Sequence, residues 1–239
     1  MDSMQIEFDI LRMDGQERKP YRQSILCEME DADASVATAL RKINTDVETR
    51  DIHGNPVPAI RWECSCLQKR CGACAMRING KPRLACDAKL KEFANKTITL
   101  EPLKKFPVVA DLVVDRSILY ENLKLIGAWL EERAELESED QEMAYEGSRC
   151  LQCGCCLEVC PNFYAGGDFM GMAAFVPTAR LMSELSATQR QKIFEAYRSH
   201  IYEGCGKSLA CRNICPAGIE IEKLMIRSNA LAIRKRRKR

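Results

Sequence analysis

Two cysteine runs constrain this chain more than any other feature. The first reads Cys150-Leu-Gln-Cys153-Gly-Cys155-Cys156-Leu-Glu-Val-Cys160-Pro161. Through Cys150, Cys153, Cys156 and Cys160 the spacing is C-x2-C-x2-C-x3-C-P. This is the bacterial ferredoxin run, whose fourth cysteine ligates the other cluster of a two-cluster fold. That rule demands a second run. Cys205-Gly-Lys-Ser208-Leu-Ala-Cys211-Arg-Asn-Ile-Cys215-Pro216 supplies it, with serine where the second cysteine should stand. Four cysteines, Cys150, Cys153, Cys156 and Cys215, can hold a [4Fe–4S] cluster. The remaining three, Cys160, Cys205 and Cys211, suit a [3Fe–4S] cluster, a cube without the iron that Ser208 cannot hold as a thiolate would. Paired C-x2-C units also build structural zinc sites. Zinc, however, has no need of overlapping triplets, each followed by x3-C-P and occurring twice.

A third motif lies upstream. Cys66-x4-Cys71-x2-Cys74, followed by Cys86, has the plant-type spacing of a [2Fe–2S] ferredoxin. Its loop must be small and turn-rich so that amide N–H groups approach the sulfides, and Gly72 and Ala73 meet that need. Asn79-Gly80 is a hairpin signal between Met76/Ile78 and Leu84/Ala85, and it returns Cys86 towards the loop. Cys64 is excluded as a ligand because it would place six residues before Cys71. Cys27, on a strand face, reads as core, and Cys155 lies spare between two ligands. Eleven of the fourteen cysteines are then ligands.

The flanking sequence tells what carries these motifs. Met4, Ile6, Phe8 and Ile10 alternate, as do Tyr21, Gln23, Ile25, Cys27 and Met29, so two strands pair as a hairpin. From Ser35 the period becomes helical through Val36, Ala39, Leu40, Ile43 and Val47, with Asp33 or Ser35 as N-cap. Strand, strand, helix is how a β-grasp domain begins, and Thr97–Leu100 reads as its closing strand. Beyond Pro107, Asp111-Leu-Val-Val-Asp115 precedes a helical pattern through Ile118, Leu119, Leu123, Ile126 and Leu130. Further helices over 187–202 and 219–233 surround the two runs. The expected fold is α+β, with a β-grasp plant-type [2Fe–2S] ferredoxin domain over 1–104. An α-helical ferredoxin domain is expected over 105–239.

Composition narrows the setting. The net charge of +2 from 36 basic and 34 acidic residues is nearly neutral and says little about partners. The first twenty residues hold no apolar signal core and no twin-arginine pair, and no run of eighteen apolar residues occurs. Fourteen cysteines in a reducing compartment point to metal rather than disulfides. Seven of the twelve residues 131–142 are acidic and read as a solvated helix end or linker. Arg234 to Arg239 are six consecutive cations, a solvated tail or a contact for anionic headgroups. Nothing aromatic or motif-like beside them supports nucleic-acid binding.

The combination resembles the iron–sulfur subunits of succinate dehydrogenase and quinol:fumarate reductase, over essentially the whole chain. The resemblance rests on Cys66-x4-Cys71-Gly72-Ala73-Cys74, Asn79-Gly80…Leu84-Ala85-Cys86, Asp111-Leu112-Val113-Val114-Asp115 and the two Cys-Pro runs. It implies an electron-transfer subunit of a succinate:quinone oxidoreductase without a substrate site of its own. A flavoprotein subunit would carry FAD, and a cytochrome b-type membrane anchor would carry haem and exchange electrons with quinone near the [3Fe–4S] cluster. The subunit would be peripheral, on the cytoplasmic face of the cell membrane. Many ubiquinone-reducing members place a tryptophan after the first Cys-Pro and a histidine after the first cysteine of the second run. Here Asn162-Phe163-Tyr164-Ala165-Gly166 and Gly206 stand there, which points to a menaquinone-type anchor. Two alternatives are the iron–sulfur subunit of a soluble thiol-dependent fumarate reductase, whose chains usually continue into further cysteine-rich domains, and a structural zinc protein associated with nucleic acid.

Overall fold

The computed structural model describes residues 4–13, 19–94, 96–131, 133–134 and 141–234. It divides into two compact units, Met1–Asp115 and Arg116–Arg239. Residues 105–115, grouped by the sequence reading with the helical half, fall in the first unit. Asp111 accounts for this by bonding back to Met13 and Arg61.

In the first unit, β1 (Met4–Met13) pairs antiparallel with β2 (Pro20–Met29), Phe8 opposite Ile25 and Ile6 opposite Cys27. Alternation buries Ile6, Phe8 and Ile10 with Gln23, Ile25, Cys27 and Met29, while Tyr21, at the end of the stripe, stays exposed. Helix α1 (Val36–Thr45) starts where Ser35 Oγ accepts the Thr38 N–H at 3.2 Å. Its first free amides donate elsewhere, Val36 to the Ala88 carbonyl and Ala37 to that of Ala85. Val36, Ala39, Leu40 and Ile43 are buried, but the chain leaves the helix at Asp46 and Val47 is 85% exposed. The helical stripe is therefore one turn shorter than expected.

The Asn79-Gly80 turn joins β3 (Ala75–Ile78) to β4 (Lys81–Leu84), with both turn residues at positive φ. A 3-10 turn at Leu90–Phe93 leads to β5 (Ile98–Glu101). β5 is last of the sheet in sequence and central in space. The order is β2-β1-β5-β3-β4, with β5 parallel to β1 and antiparallel to β3. Its central place fits the complete burial of Ile98 and Leu100, each contributing about 1.5–3 kcal/mol. A small ribbon of β6 (Val108–Ala110) and β7 (Val113–Val114) follows.

The second unit is helical: α2 (Ser117–Ile126), α3 (Gln141–Ser148), α4 (Cys155–Glu158), α5 (Gly171–Glu184), α6 (Ala187–Tyr197) and α7 (Ile221–Arg234). α2 ends at Gly127 in the left-handed conformation, so Leu130 is outside the helix and exposed. Twelve of the fourteen residues of α5 are buried, which makes it the central helix of the unit. α3 approaches it so closely that a Cβ on Gly147 would lie 2.6 Å from Arg180 Cβ. α6 continues as a π-helical turn over Arg198–Tyr202, and Tyr197 Oη donates to Asn229 Oδ1 on α7 at 2.8 Å. Among the described residues no helix is long and apolar enough to cross a membrane. Residues 132 and 135–140 of the acidic stretch and 235–239 of the basic tail lie outside the described residues.

Candidate metal centres

The loop from Cys66 to Cys74 is shaped by its backbone. Leu67, Lys69 and Gly72 have φ of 53°, 59° and 75°, and such turns aim successive N–H groups inward. Gln68 and Arg70 donate to Cys66 Sγ at 3.4 and 3.3 Å, and Lys69 donates to Cys86 Sγ at 3.3 Å. The N–H groups of Gln68 and Arg70, with Cys71, bring the Cys66 thiol down to about 7. Burial pushes Cys74 up to about 12, with Cys86 and Cys71 beside it adding to the rise. Of the four sequence-assigned cysteines, Cys66 thus lies beside Cys71 and Cys74 beside Cys86, and Cys66 and Cys86 accept backbone N–H bonds. That is the donor set a [2Fe–2S] core requires.

In the second unit Cys150, Cys153, Cys156 and Cys215 line one cavity, walled by Met172, Val176, Ile219 and Ile221. Cys215 reaches it from the second run. Gln152 and Gly154, at φ 49° and 84°, turn the backbone between the ligands. Burial raises Cys150 to about 11 and Cys156 well above the usual thiol range, each raised further by the neighbouring sulfurs. Cys211 is likewise raised to about 11 by burial, then by Cys160 and Cys205. Those are the three cysteines left to the other site. Cys211 also acts on Cys156, so the two groups adjoin. Among the described residues no three His, Cys, Asp or Glu side chains close on one point as the ligands of a single ion do. Thiols buried in this way are neutral unless cations lie among them, and loading iron releases their protons.

The Ser208 loop resembles the first in shape, with Lys207 and Leu209 both at φ 54°. Ser208 is exposed, and its Oγ accepts the Ala210 N–H at 3.5 Å. Asn162 donates to the Gly204 carbonyl at 2.8 Å. A Cβ on Gly206 would lie 2.8 Å from Asn162 Nδ2, so the amide occupies the space beside that glycine. Phe163 is buried and Tyr164 is 67% exposed.

Of the three spare cysteines, Cys27 is buried in the sheet and Cys64 is exposed. Cys155 is fully buried, and its S–H bond to Cys153 lowers the Cys153 thiol to about 7 while raising its own. Sequence spacing identified Cys155 as spare but gave no sign of this donor role. Gln152 was missed altogether: its Nε2 lies 3.2 Å from Cys150 Sγ.

The family described as 2Fe-2S iron-sulfur cluster binding domain matches residues 7–121, and the one described as 4Fe-4S dicluster domain matches residues 146–219. Fold and sites together define a two-domain iron–sulfur protein, β-grasp followed by α-helical ferredoxin. The succinate dehydrogenase iron–sulfur subunit of Bacillus subtilis is 34% identical over 230 residues, covering 90% of this chain and 88% of that protein. The fumarate reductase iron–sulfur subunit of Wolinella succinogenes is 29% identical over 180 residues, covering 69% and 74%. In fold, a chain of the Mycobacterium smegmatis Sdh1 complex in the apo form superposes with a TM-score of 0.79 at 23% identity, covering 98% of both chains. The chain belongs to the family of succinate dehydrogenase and fumarate reductase iron–sulfur subunits.

Proposed function

We propose that this subunit conducts electrons, one at a time, between the FAD of a flavoprotein subunit and a quinone at a cytochrome b-type membrane anchor. The observation that carries the reading is the interlocking of the two runs: Cys215 stands with Cys150, Cys153 and Cys156, and Cys211 with Cys160 and Cys205. Bound iron–sulfur clusters supply one-electron carriers whose potentials follow cluster type, hydrogen bonds to sulfur and exposure. The chain's own residues do the rest. Cys66, Cys71, Cys74 and Cys86 hold [2Fe–2S], and the Gln68 and Arg70 amides stabilise its thiolates. Cys150, Cys153, Cys156 and Cys215 hold [4Fe–4S] behind an apolar wall that keeps water away. Cys160, Cys205 and Cys211 hold [3Fe–4S], since the Ser208 hydroxyl is occupied by a backbone amide and a hydroxyl loses its proton far less readily than a thiol. Cys211 is near enough to Cys156 to raise its thiol, which supports neighbouring centres along the path.

In this reading the subunit has no succinate or fumarate site, and FAD and haem sit on its partners. It is held peripherally on the cytoplasmic face of the membrane by those partners. The absence of an indole or imidazole at Phe163, Tyr164 and Gly206, with Asn162 against Gly206, supports a menaquinone-type anchor. The test is the assembled complex, frozen after mixing with succinate or with a menaquinol analogue and followed by electron paramagnetic resonance. Reduction of the clusters by both donors is expected. Clusters that remain oxidised with either donor would overturn the conduction path.

A further inference from the structure

We propose that Gln152 tunes the first-run centre through a hydrogen bond to Cys150, and that Pro177 of α5 holds it in that position. The proposal rests on the reading above that Cys150 ligates the [4Fe–4S] cluster.

Gln152 stands at left-handed φ between two cysteines, where no spacing rule of a ferredoxin run specifies the residue. Its Nε2 lies 3.2 Å from Cys150 Sγ and 2.9 Å from the Ala173 carbonyl oxygen. A primary amide has two hydrogens to donate, and both are used here. The second bond explains why the amide points this way. In an uninterrupted helix the Ala173 carbonyl would accept the N–H of residue 177, four positions on. Residue 177 is proline, inside α5, and has no N–H to give. Ala173 is buried, 2% exposed, so water does not replace the missing donor. Gln152 does.

The amide orientation follows from the same contacts. Rotating it by half a turn would set Oε1 against a carbonyl oxygen and a sulfur, both electron-rich. Oε1 is instead buried with no hydrogen-bond partner, so the amide is held by its nitrogen end. Gln152 and Pro177, on different segments, therefore make one device. Pro177 leaves a buried acceptor open, the acceptor anchors Gln152, and Gln152 presents its second hydrogen to the sulfur.

A donor on a ligating sulfur draws charge from it and favours the reduced state, which carries one more negative charge. Hydrogen bonding to sulfur is one of the factors that set cluster potentials. Removing the donor should lower the midpoint potential of the [4Fe–4S] cluster and leave its cysteines in place.

The experiment is a redox titration of the full-length holoprotein, followed by electron paramagnetic resonance. Gln152→Met keeps length and lack of branching but donates nothing. Expected is a lowered [4Fe–4S] midpoint, full cluster content and unmoved midpoints for the other two clusters. Pro177→Ala gives residue 177 an N–H for Ala173 and slackens the anchor, so a smaller fall is expected. The double variant should fall no further than Gln152→Met alone, the non-additivity of a shared interaction. An unchanged or raised midpoint in fully loaded Gln152→Met would overturn the tuning role, and additive shifts would overturn the part given to Pro177. If Gln152→Met does not load its cluster, Pro177→Ala decides alone: a fall supports the proposal and no change overturns it. Cys150→Ala separates the underlying reading, because a cluster retained with unaltered midpoint in that variant would overturn the ligand assignment itself.

Discussion

Arg12 Nη2 lies 3.3 Å from Asp111 Oδ2, with only 3% and 1% of the two side chains exposed. Asp111 also accepts the N–H groups of Met13 at 2.8 Å and Arg61 at 2.9 Å, and Arg12 donates to the carbonyls of Pro58 and Ala59. The end of β1, the segment 58–61 and the turn before β7 are thereby clamped a few residues ahead of Cys66. Removing one partner strands the other charge in the interior. Asp111→Ala is expected to cost about 3–5 kcal/mol, read as a lowered denaturant midpoint of the full chain.

The same carboxylate sets a pH dependence. Burial alone would raise Asp111, but the Met13 and Arg61 amides and the Arg12 guanidinium outweigh it and hold it below the usual carboxylate range. A depressed group contributes stability that is complete above its unfolded value, about 3.9, and is lost as pH falls through the folded one. The stability difference between wild type and Asp111→Asn should therefore be largest at neutral pH and shrink below about pH 4. Paired urea titrations check this; a difference that grows on acidification would contradict it.

How much of this was legible beforehand varied with the kind of signal. β1, β2 and the Ser35 cap were legible, because their signals are local, and ligand spacing is a local rule that proposes cysteine groups in the same way. Val47 misled because it extends the helical stripe while the chain has already turned at Asp46. The central position of β5 was hidden, since alternation identifies a strand but not its neighbours. α5 carries no clear sequence signal, because Pro177 interrupts its pattern and its burial on most sides removes amphipathic contrast. Arg12 and Asp111 lie 99 residues apart, and nothing in either's local sequence indicates the other.

The spare cysteines differ in consequence. Cys64→Ser should leave all three clusters and their potentials as they are, because that thiol is exposed. Cys155→Ala should also keep every cluster, yet it removes the S–H donor to Cys153 and so should lower the [4Fe–4S] midpoint. Iron and sulfide analysis with redox titration distinguishes the two, and loss of a cluster in either variant would refute the choice of ligands.

Ser208→Cys restores the full second run in a loop already curved by Lys207 and Leu209. A second [4Fe–4S] cluster should assemble, with loss of the [3Fe–4S] signal in the oxidised protein. Quinone-linked turnover should slow more than dye-linked oxidation of succinate. Retention of the [3Fe–4S] signal would show that position 208 does not govern cluster type.

Packing in the second unit can be checked without cofactors. Gly147→Val places a Cβ within 2.6 Å of Arg180 Cβ and 3.1 Å of the Val176 carbonyl oxygen. Forcing α3 from α5 is expected to cost about 1–3 kcal/mol, seen as a lower thermal midpoint.

If each Cys-Pro cysteine serves the site of the opposite run, single substitutions of Cys160 and Cys215 separate the two clusters. Electron paramagnetic resonance of the full-length holoprotein, oxidised and reduced, reads both clusters in each variant. Cys160→Ala should abolish the [3Fe–4S] signal and spare the [4Fe–4S] cluster, and Cys215→Ala should do the reverse. If Cys160→Ala instead removes the [4Fe–4S] cluster and Cys215→Ala the [3Fe–4S] signal, each run holds its own cluster and the interlocked assignment is wrong.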